Sequence, residues 1–331
     1  MATLLAALGD RLGIFKHLAV DGPATSAELA ARAGLDERYT REWLGGMLAA
    51  GYLEYDPASE RFTLPAEHVP VLATERGAVS FSGLHECLMS QIRVLDQVSR
   101  AFREGGGVSQ SAYGEDTWDG LERVTSGWFE NSLLDVWLPS MPDVLARLEH
   151  GCDVADVGCG RGRALIKLAT AFPKSRFVGF DNFAPAIERA TTYARESGVS
   201  DRVRFEQRDV AQGLPGHFDV MTTFDVIHDS ADPPGILRAI RQALTDDGVY
   251  LCVDINASDK REENVGPIAT LFYGFSILYC MTSSLAAGGM GLGTVGLPES
   301  TLRTLASQAG FGSVRRVPLE NPFNSLFEIR P

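Results

Sequence analysis

The sequence lacks the cysteine pattern of a disulfide framework or a structural zinc site. Its five cysteines are odd in number and share no CxxC or other metal-ligand spacing: Cys87, Cys152, Cys159, Cys252 and Cys280. Disulfide-built domains and zinc ribbons need paired, regularly spaced cysteines. We therefore expect free thiols, no metal ion and a cytoplasmic location.

Positive charge is also scarce. The chain has 43 acidic against 30 basic residues, a formal net charge of −13, which opposes attraction to nucleic acid and to anionic membrane surfaces. The first 19 residues have no basic segment ahead of the apolar ones. They are typical of an amphipathic helix and not of a signal peptide.

Charge is absent altogether between Glu263 and Glu299. A membrane span needs about 20 apolar residues, whereas glycine, proline, serine and threonine interrupt this segment, which also lies between two predicted strands. We expect a buried helix or a pocket lid and no membrane partner.

The 331 residues allow more than one domain, and we predict three regions: residues 1–72, 73–150 and 151–331. In the first, Ser26 caps a helix that Gly34 ends, and Asp36 opens a second that ends at Gly51. Two short strands with a turn between them follow. Helix-turn-helix and a β wing together predict a winged-helix domain.

Winged helices often bind DNA, but the charge of this one disfavours it. Between Ala24 and His68 there are four basic residues against eight acidic ones, and the second helix starts with Asp36-Glu37. Nucleic-acid binding requires a basic footprint. We therefore predict a dimerisation module, a homodimer and no nucleic-acid partner.

Residues 73–150 are predicted to be a largely helical linker and substrate lid. Apolar residues recur at helical spacing from Leu84 to Phe102, before Gly105-Gly106-Gly107. A second helical region carries Trp118, Trp128 and Trp137, which either fill a core or line a pocket.

From residue 151 strands and helices alternate, which predicts a doubly wound α/β sheet. We expect helices at 184–197 and 234–244. The predicted strands are 153–157, 176–181, 203–207, 218–224, 248–255, 313–317 and 325–329.

A glycine loop follows the first of these strands and opens a helix, where backbone N–H groups face a ligand. It reads Asp156-Val157-Gly158-Cys159-Gly160-Arg161-Gly162. A dinucleotide fingerprint would need glycine or alanine at 163 or 165, which are arginine and leucine, and the Gly-Lys-Ser/Thr of a P-loop is missing.

Three acidic residues end the next strands: Asp181, Asp209 and Asp225. Ligands of open α/β sheets bind at the carboxyl ends of strands, so these residues and the loop should meet in one crevice. Each acid alone could be only a helix cap or a turn residue.

The glycine loop and these three acidic residues together resemble the motifs of the class I S-adenosylmethionine (SAM)-dependent methyltransferases. The resemblance implies a Rossmann-like seven-stranded sheet, SAM as cofactor and S-adenosylhomocysteine (SAH) as product. In that family the three acids lie by the ribose, the adenine and the methionine moiety. The cofactor-binding residues it implies are Asp156, Gly158, Gly160, Gly162, Asp181, Asn182, Asp209, Val210 and Asp225.

His228 is the only histidine at the predicted catalytic edge, and a near-neutral pKa suits a general base. With Asp229 and the winged helix, it resembles the small-molecule O-methyltransferases of plants and bacteria, whose H-D/N-W histidine deprotonates the acceptor hydroxyl. The resemblance implies that His228 is the base, that Asp229 and Asp254 support it, and that a small molecule is the acceptor.

The motif departs from that family at two positions. Ser230 replaces the tryptophan, and Gly296 stands where a second acid is expected. A structural histidine that caps the next helix therefore stays an alternative. So do a SAM-binding transcriptional regulator and a SAM-using enzyme that does not transfer methyl.

The sequence leaves open whether oxygen, nitrogen or carbon is methylated. The uncharged segment has four aromatic residues, Phe272, Tyr273, Phe275 and Tyr279, which suggest an apolar or aromatic acceptor.

Overall fold

The structure is a computed structural model that describes residues 1–331. The chain forms two compact units: residues 1–93 with 113–132, and residues 94–112 with 133–331. The predicted boundaries at residues 72 and 150 stay predictions.

Helices dominate the first part of the chain. Its elements are α1 (Ala2–Arg11), α2 (Ile14–Asp21), α3 (Ser26–Ala33), α4 (Glu37–Ala49), β1 (Glu54–Asp56), β2 (Arg61–Thr63), α5 (Val69–Leu72), α6 (Ser82–Arg93), α7 (Leu95–Glu104), a 3₁₀ turn (Gln110–Ala112), α8 (Glu115–Trp128) and a π-helix (Phe129–Trp137).

Strands and helices alternate in the second part. Its elements are α9 (Pro142–His150), β3 (Asp153–Val157), α10 (Arg163–Ala171), β4 (Arg176–Asp181), α11 (Ala184–Glu196), β5 (Val203–Gln207), β6 (Phe218–Phe224), α12 (Pro233–Ala243), β7 (Leu244–Ile255), α13 (Gly266–Phe275), a π-helix (Ser276–Cys280), α14 (Met281–Ala286), α15 (Glu299–Gln308), β8 (Ser313–Val317) and β9 (Asn324–Arg330). Two short 3₁₀ turns lie at Val210–Gln212 and Arg261–Glu263.

The winged-helix elements in the first unit begin and end close to the predicted residues. The cap of α3 is Thr25 and not Ser26, because Thr25 and Glu28 form a reciprocal capping box. Asp36 caps α4 as predicted, and that helix ends at Ala49 with Ala50 as its C-cap, directly before Gly51. Strands β1 and β2 pair antiparallel to form the wing.

The helical region contains one break that the apolar spacing did not predict. The segment from Leu84 to Phe102 divides at Val94 into α6 and α7. Trp137 is 1% exposed and stacks on Phe224, so it belongs to the core of the second unit. Trp118 and Trp128 are half-buried.

The second unit contains one seven-stranded sheet in the order β5-β4-β3-β6-β7-β9-β8. The first five are parallel, and β9 runs antiparallel between β7 and β8. The predicted α/β fold class is confirmed. Strand β7 begins at Leu244 and not at 248, directly after α12, because Phe218 of β6 pairs with Leu244 through an irregular register.

This topology brings the predicted site together. The carboxyl ends of β4, β3, β6 and β7 lie side by side at one edge of the sheet, while buried apolar residues fill the space beneath them. The glycine loop and most of the predicted acidic residues follow those strand ends directly.

Candidate active site

The glycine loop between β3 and α10 has a backbone that only glycine adopts easily. Gly158, Gly160 and Gly162 have φ angles of 68°, 52° and 75°. A Cβ on Gly158 would lie 2.5 Å from Val226, and one on Gly162 would lie 2.4 Å from Phe205. At Gly160 no atom lies within 4 Å of that position. The loop is therefore packed on two sides and open at Gly160.

Asp181 closes this loop from the end of β4. Its carboxylate accepts hydrogen bonds from the N–H groups of Gly160 and Phe183, each at 2.9 Å. Burial raises the pKa of Asp181, and these backbone bonds oppose the rise. The Asp181 carboxylate thus lies beside Gly160, the open part of the loop, and the sequence predicted that this residue and the loop would meet.

Asp156 supports the loop from within the sheet. It is 2% exposed, and its Oδ1 accepts a hydrogen bond from the Thr222 hydroxyl at 2.7 Å. Burial raises the pKa of Asp156 to about 7. Its buried position suits a supporting role better than direct contact with a ligand.

Asp209, another of the predicted acidic residues, follows β5 at the same edge of the sheet. Asp209 is exposed and caps the 3₁₀ turn that begins at Val210, accepting from the Ala211 N–H at 3.1 Å. Val210 is buried, and Asn182, next to Asp181, is exposed. Asp209 therefore has both a capping bond and an exposed carboxylate.

Asp225, at the end of β6, has a φ of 56°, a left-handed conformation that is uncommon outside glycine. Its carboxylate accepts a bond from Asn324 Nδ2 at 3.0 Å. Burial, and then the nearby Asp254, raise the pKa of Asp225 to about 7. Sequence reasoning missed Asn324, because nothing in the motif points to the first residue of β9.

His228 and Asp254 form a buried pair at the carboxyl ends of β6 and β7. His228 Nδ1 lies 2.7 Å from Asp254 Oδ1, and the two residues are 4% and 1% exposed. Burial lowers the pKa of His228, but the charge and hydrogen bond of Asp254 outweigh it and raise that pKa well above its usual value. Asp254 therefore orients the imidazole and favours its charged form.

Two further groups lie beside the imidazole. Ligand atoms of Asp229 and Cys280, with a ring nitrogen of His228, all lie within 4.8 Å of one another. Burial raises the pKa of Asp229 to about 6. Asp254, and not Asp229, makes the hydrogen bond to Nδ1. Cys280 had no signal in the sequence beyond its place in the uncharged segment.

The uncharged segment packs on the loop that carries His228. The N–H groups of Met290 and Gly293 donate to the carbonyls of Ala231 and His228, and the Ser284 hydroxyl donates to Ser230. This segment therefore occupies the surroundings of Ser230, where the resemblance led us to expect a tryptophan.

The helical part of that segment passes one test for a membrane span. Gly266–Ala286 is long and apolar enough by length and composition, and 44% of its most apolar window is buried inside the folded protein. Core helices of soluble proteins meet the same criterion. Its buried residues include Phe272, Tyr279 and Cys280.

Comparison with known protein families assigns two parts of the chain. Residues 148–272 match the family described as "Methyltransferase domain". These residues form a methyltransferase domain. Residues 1–74 match the "Rv2258c-like winged HTH domain". The winged helix predicted from the sequence is thereby confirmed.

Curated relatives match a part of the chain. Ubiquinone biosynthesis O-methyltransferase of Pseudomonas syringae pv. tomato is 31% identical over 111 residues, 33% of this chain and 47% of that protein. Sterol 24-C-methyltransferase of Pneumocystis carinii is 27% identical over 135 residues, 40% of this chain and 35% of that protein. The chain spans less than half the length of these relatives.

Solved structures match over nearly the whole chain. The mitomycin 7-O-methyltransferase MmcR has a TM-score of 0.71 and 22% identity, covering 99% of this chain and 94% of that one. Human N-acetylserotonin methyltransferase, in complex with SAM, has a TM-score of 0.68 and 17% identity, covering 100% and 94%. The methyltransferase domain and its winged helix thus share the fold of O-methyltransferases.

Proposed function

We propose that this chain binds SAM and transfers its methyl group to a hydroxyl of a small apolar or aromatic molecule, with His228 as general base. The observation that carries the proposal is the 2.7 Å pair of His228 and Asp254 at the carboxyl edge of the methyltransferase sheet. A base is needed when the acceptor must lose a proton, so the pair favours a hydroxyl over a carbon acceptor.

The residues present fit SAM. Gly160 leaves open space at the loop, and Asp181 presents a half-buried carboxylate beside it. Asp209 follows β5 and Asp225 follows β6, the strands on either side of the β4–β3 pair, where the family binds adenine and methionine. We assign the cofactor to these residues with Gly158, Gly162, Asn182 and Val210, and assign Asp156 to support of the loop. SAM supplies an activated methyl group.

His228 has Nδ1 on Asp254, and we assign its other ring nitrogen to the substrate proton, with the Cys280 side chain beside the ring. Asp254 accepts from Nδ1–H, which fixes the tautomer with Nε2 as the acceptor. When Nε2 takes the proton, the adjacent carboxylate stabilises the imidazolium. The raised pKa of His228 has the same cause, because Asp254 favours the charged ring.

The acceptor class follows from what surrounds the base. Phe272, Tyr279 and Cys280 are buried residues of the uncharged segment. Backbone hydrogen bonds hold this segment against the loop that carries His228. That segment itself contributes no charged group that could recognise a charged acceptor. Phenols and hydroxyquinones are therefore the first compounds to test.

Two measurements test the proposal. Calorimetry should detect SAM and SAH binding, and Asp181→Ala should abolish it; the control Asp201→Ala changes an exposed acid away from the crevice and should not. A panel of phenols with SAM should then yield methylated product and SAH. Absence of SAH binding ends the proposal, while product formed without SAH would favour a SAM-using enzyme that does not transfer methyl.

A SAM-binding transcriptional regulator is less well supported. In α4, Arg38 and Arg41 pair with Glu42 and Glu37 one turn away, and Arg61 of the wing pairs with Glu28. Arg32 donates to backbone carbonyls. The basic residues of the winged helix thus face carboxylates and carbonyls of their own domain. We assign this domain to homodimer formation, which sedimentation at several concentrations tests directly.

A further inference from the structure

We propose that His85 is a pH-sensitive latch in the first unit, which loosens α1 from α8 when its imidazole gains a proton. His85 lies on α6 and lines a cavity of about 290 Å³ together with six charged side chains: Asp10, Arg11, Lys16, Glu75, Glu86 and Arg123. All of these residues belong to the first unit, whereas the cofactor and catalytic residues assigned above belong to the second. The latch is therefore separate from the proposed methyl transfer and does not depend on it.

His85 is buried with a ring nitrogen that has no partner. It is 8% exposed, and its Nδ1 is buried without a hydrogen bond. A buried cation costs far more free energy than a buried neutral ring unless it is paired. Burial therefore lowers the pKa of His85, while Asp10 opposes this change and Arg123 adds to it. The fold accommodates the neutral imidazole and not the charged one.

Arg123, on α8, links α1 to the groups around the cavity. Its guanidinium donates two hydrogen bonds to Asp10 of α1, at 2.8 and 2.9 Å. It also donates to Glu75 at 2.7 Å and to Glu86 at 3.1 Å. The Asp10 side chain is 6% exposed, so its two-pronged pair with Arg123 is shielded from solvent. This pair is a direct link between α1 and α8.

Protonation of His85 places a second cation beside the Arg123–Asp10 pair. Both ring nitrogens become donors, and Nδ1 has no acceptor at its present position. Asp10 attracts the charged ring and Arg123 repels it, as their opposite effects on its pKa show. The cavity gives the ring and the carboxylate room to meet. Asp10 then leaves Arg123, and α1 loses its ion pair with α8.

The pH range of the latch follows from the type of group. Histidine is the side chain whose ordinary pKa falls between about pH 5 and 8, and His85 is the one histidine that lines the cavity. Burial raises the pKa of Glu75, but hydrogen bonds from Arg123 and Lys16 outweigh it and lower that pKa, so Glu75 stays charged. Because the fold lowers the pKa of His85 below 6.5, the neutral ring contributes fully to stability above pH 6.5. That contribution is lost as pH falls through the folded-state pKa, so the latch opens on acidification.

NMR spectroscopy of the full chain tests the latch, with Trp43 as the reporter of α1. The Trp43 indole N–H donates to the Leu5 carbonyl of α1 at 2.8 Å, so its signal responds when α1 moves. In a titration from about pH 8 to about pH 5, the His85 imidazole signal should have a midpoint below 6.5. The Trp43 signal should shift with the same midpoint. Loss of each signal in His85→Gln and Trp43→Phe assigns it.

Three variants sharpen the test. His85→Gln should abolish the pH-dependent shift of Trp43. The matched control is His17→Gln, which removes a half-buried histidine of α2 that does not line the cavity and should leave the shift unchanged. Arg123→Lys keeps the charge but loses the two-pronged contact with Asp10, so the Trp43 signal should lie near its acidic position at every pH.

Two outcomes overturn the proposal. One is a Trp43 signal that stays fixed while His85 titrates, or that shifts equally in His85→Gln. The other is a His85 midpoint at or above the ordinary value of 6.5. If His85→Gln does not fold, the two midpoints in the unaltered chain still decide between these results. No SAM or SAH enters the measurement, so its result is independent of methyl transfer.

Discussion

His228 Nδ1 and Asp254 Oδ1 lie 2.7 Å apart although 26 residues separate them in the chain. Strands β6 and β7 are parallel neighbours, so their carboxyl ends meet and bring the imidazole to the carboxylate. Neither residue is more than 4% exposed. The sheet therefore determines the orientation of the ring before any ligand arrives.

Asp254→Asn should lower kcat on the fastest phenol of the panel by about 10²-fold or more, while SAH affinity changes little. The amide removes the charge that stabilises the imidazolium and allows the wrong tautomer. Steady-state kinetics and calorimetry measure the two effects. The double variant Asp254→Asn with His228→Gln should have a kcat no lower than that of His228→Gln alone, because the two residues act as one catalytic unit. Additive losses would count against the pair.

Gly160→Ala should weaken SAH binding strongly with a small loss of stability, whereas Gly158→Ala should mainly destabilise the fold. Both substitutions place an alanine in the left-handed region, which costs about 1–2 kcal/mol. Only Gly158 adds a collision, 2.5 Å from Val226, while a methyl on Gly160 enters open space at the crevice. Thermal unfolding and calorimetry on both variants give the comparison. Similar stability losses in the two variants would contradict the loop geometry.

Asp156→Asn should make unfolding less dependent on pH. Burial raises the pKa of Asp156 from 3.8 to about 7, so the folded chain holds its proton more tightly than the unfolded chain does. This group therefore favours the fold below about pH 4, and its contribution is lost as pH rises to about 7. Relative to the native chain, the variant should gain stability across that range, on the order of a few kcal/mol.

Chemical denaturation of both chains without cofactor, at steps between pH 4 and pH 8, measures this difference. Asparagine keeps the Oδ1 that accepts from Thr222, so the hydrogen bond survives the change. If the difference in unfolding free energy between the two chains did not change with pH, Asp156 would be ionised in the folded state throughout this range.

The winged helix should give no salt-sensitive retardation of duplex DNA at low salt. Arg38, Arg41 and Arg61 already pair with carboxylates of the same domain, and the net charge is unfavourable. Gel shifts with random and genomic duplexes, beside a basic winged-helix protein as positive control, provide the measurement. Specific retardation that falls with salt would support a regulator instead.

Much of the methyltransferase sheet could be predicted from the sequence, because buried strands and turn residues leave local patterns. Asp181 was correctly predicted at the end of β4, and the Asp36 cap was correct. The break at Val94 was missed, because apolar residues keep their helical spacing across it. The early start of β7 was missed because Asp246, Asp247 and Gly248 have low strand propensity, and Leu244 joins the strand only through its tertiary pairing with Phe218.

The surroundings of His228 were harder to predict. Asp254 could be named only from the family resemblance, which implies a carboxylate that supports the histidine. That Nδ1 bonds to Asp254 and not to Asp229 depends on the distance between two strands. Asn324 and Cys280 lie about 50–100 residues away in the sequence from the residues they approach, and local sequence patterns do not indicate such contacts.

The reversed direction of β9 has a consequence for engineering. Because β9 runs antiparallel, its first residue, Asn324, lies at the same edge as the ends of β6 and β7 and donates to Asp225. The closing hairpin is therefore part of the wall of the crevice as well as the rim of the sheet. A fusion or deletion in the 318–323 connection would first displace Asn324 and remove the amide hydrogen bond to Asp225, while the pairing of the sheet strands would still be intact.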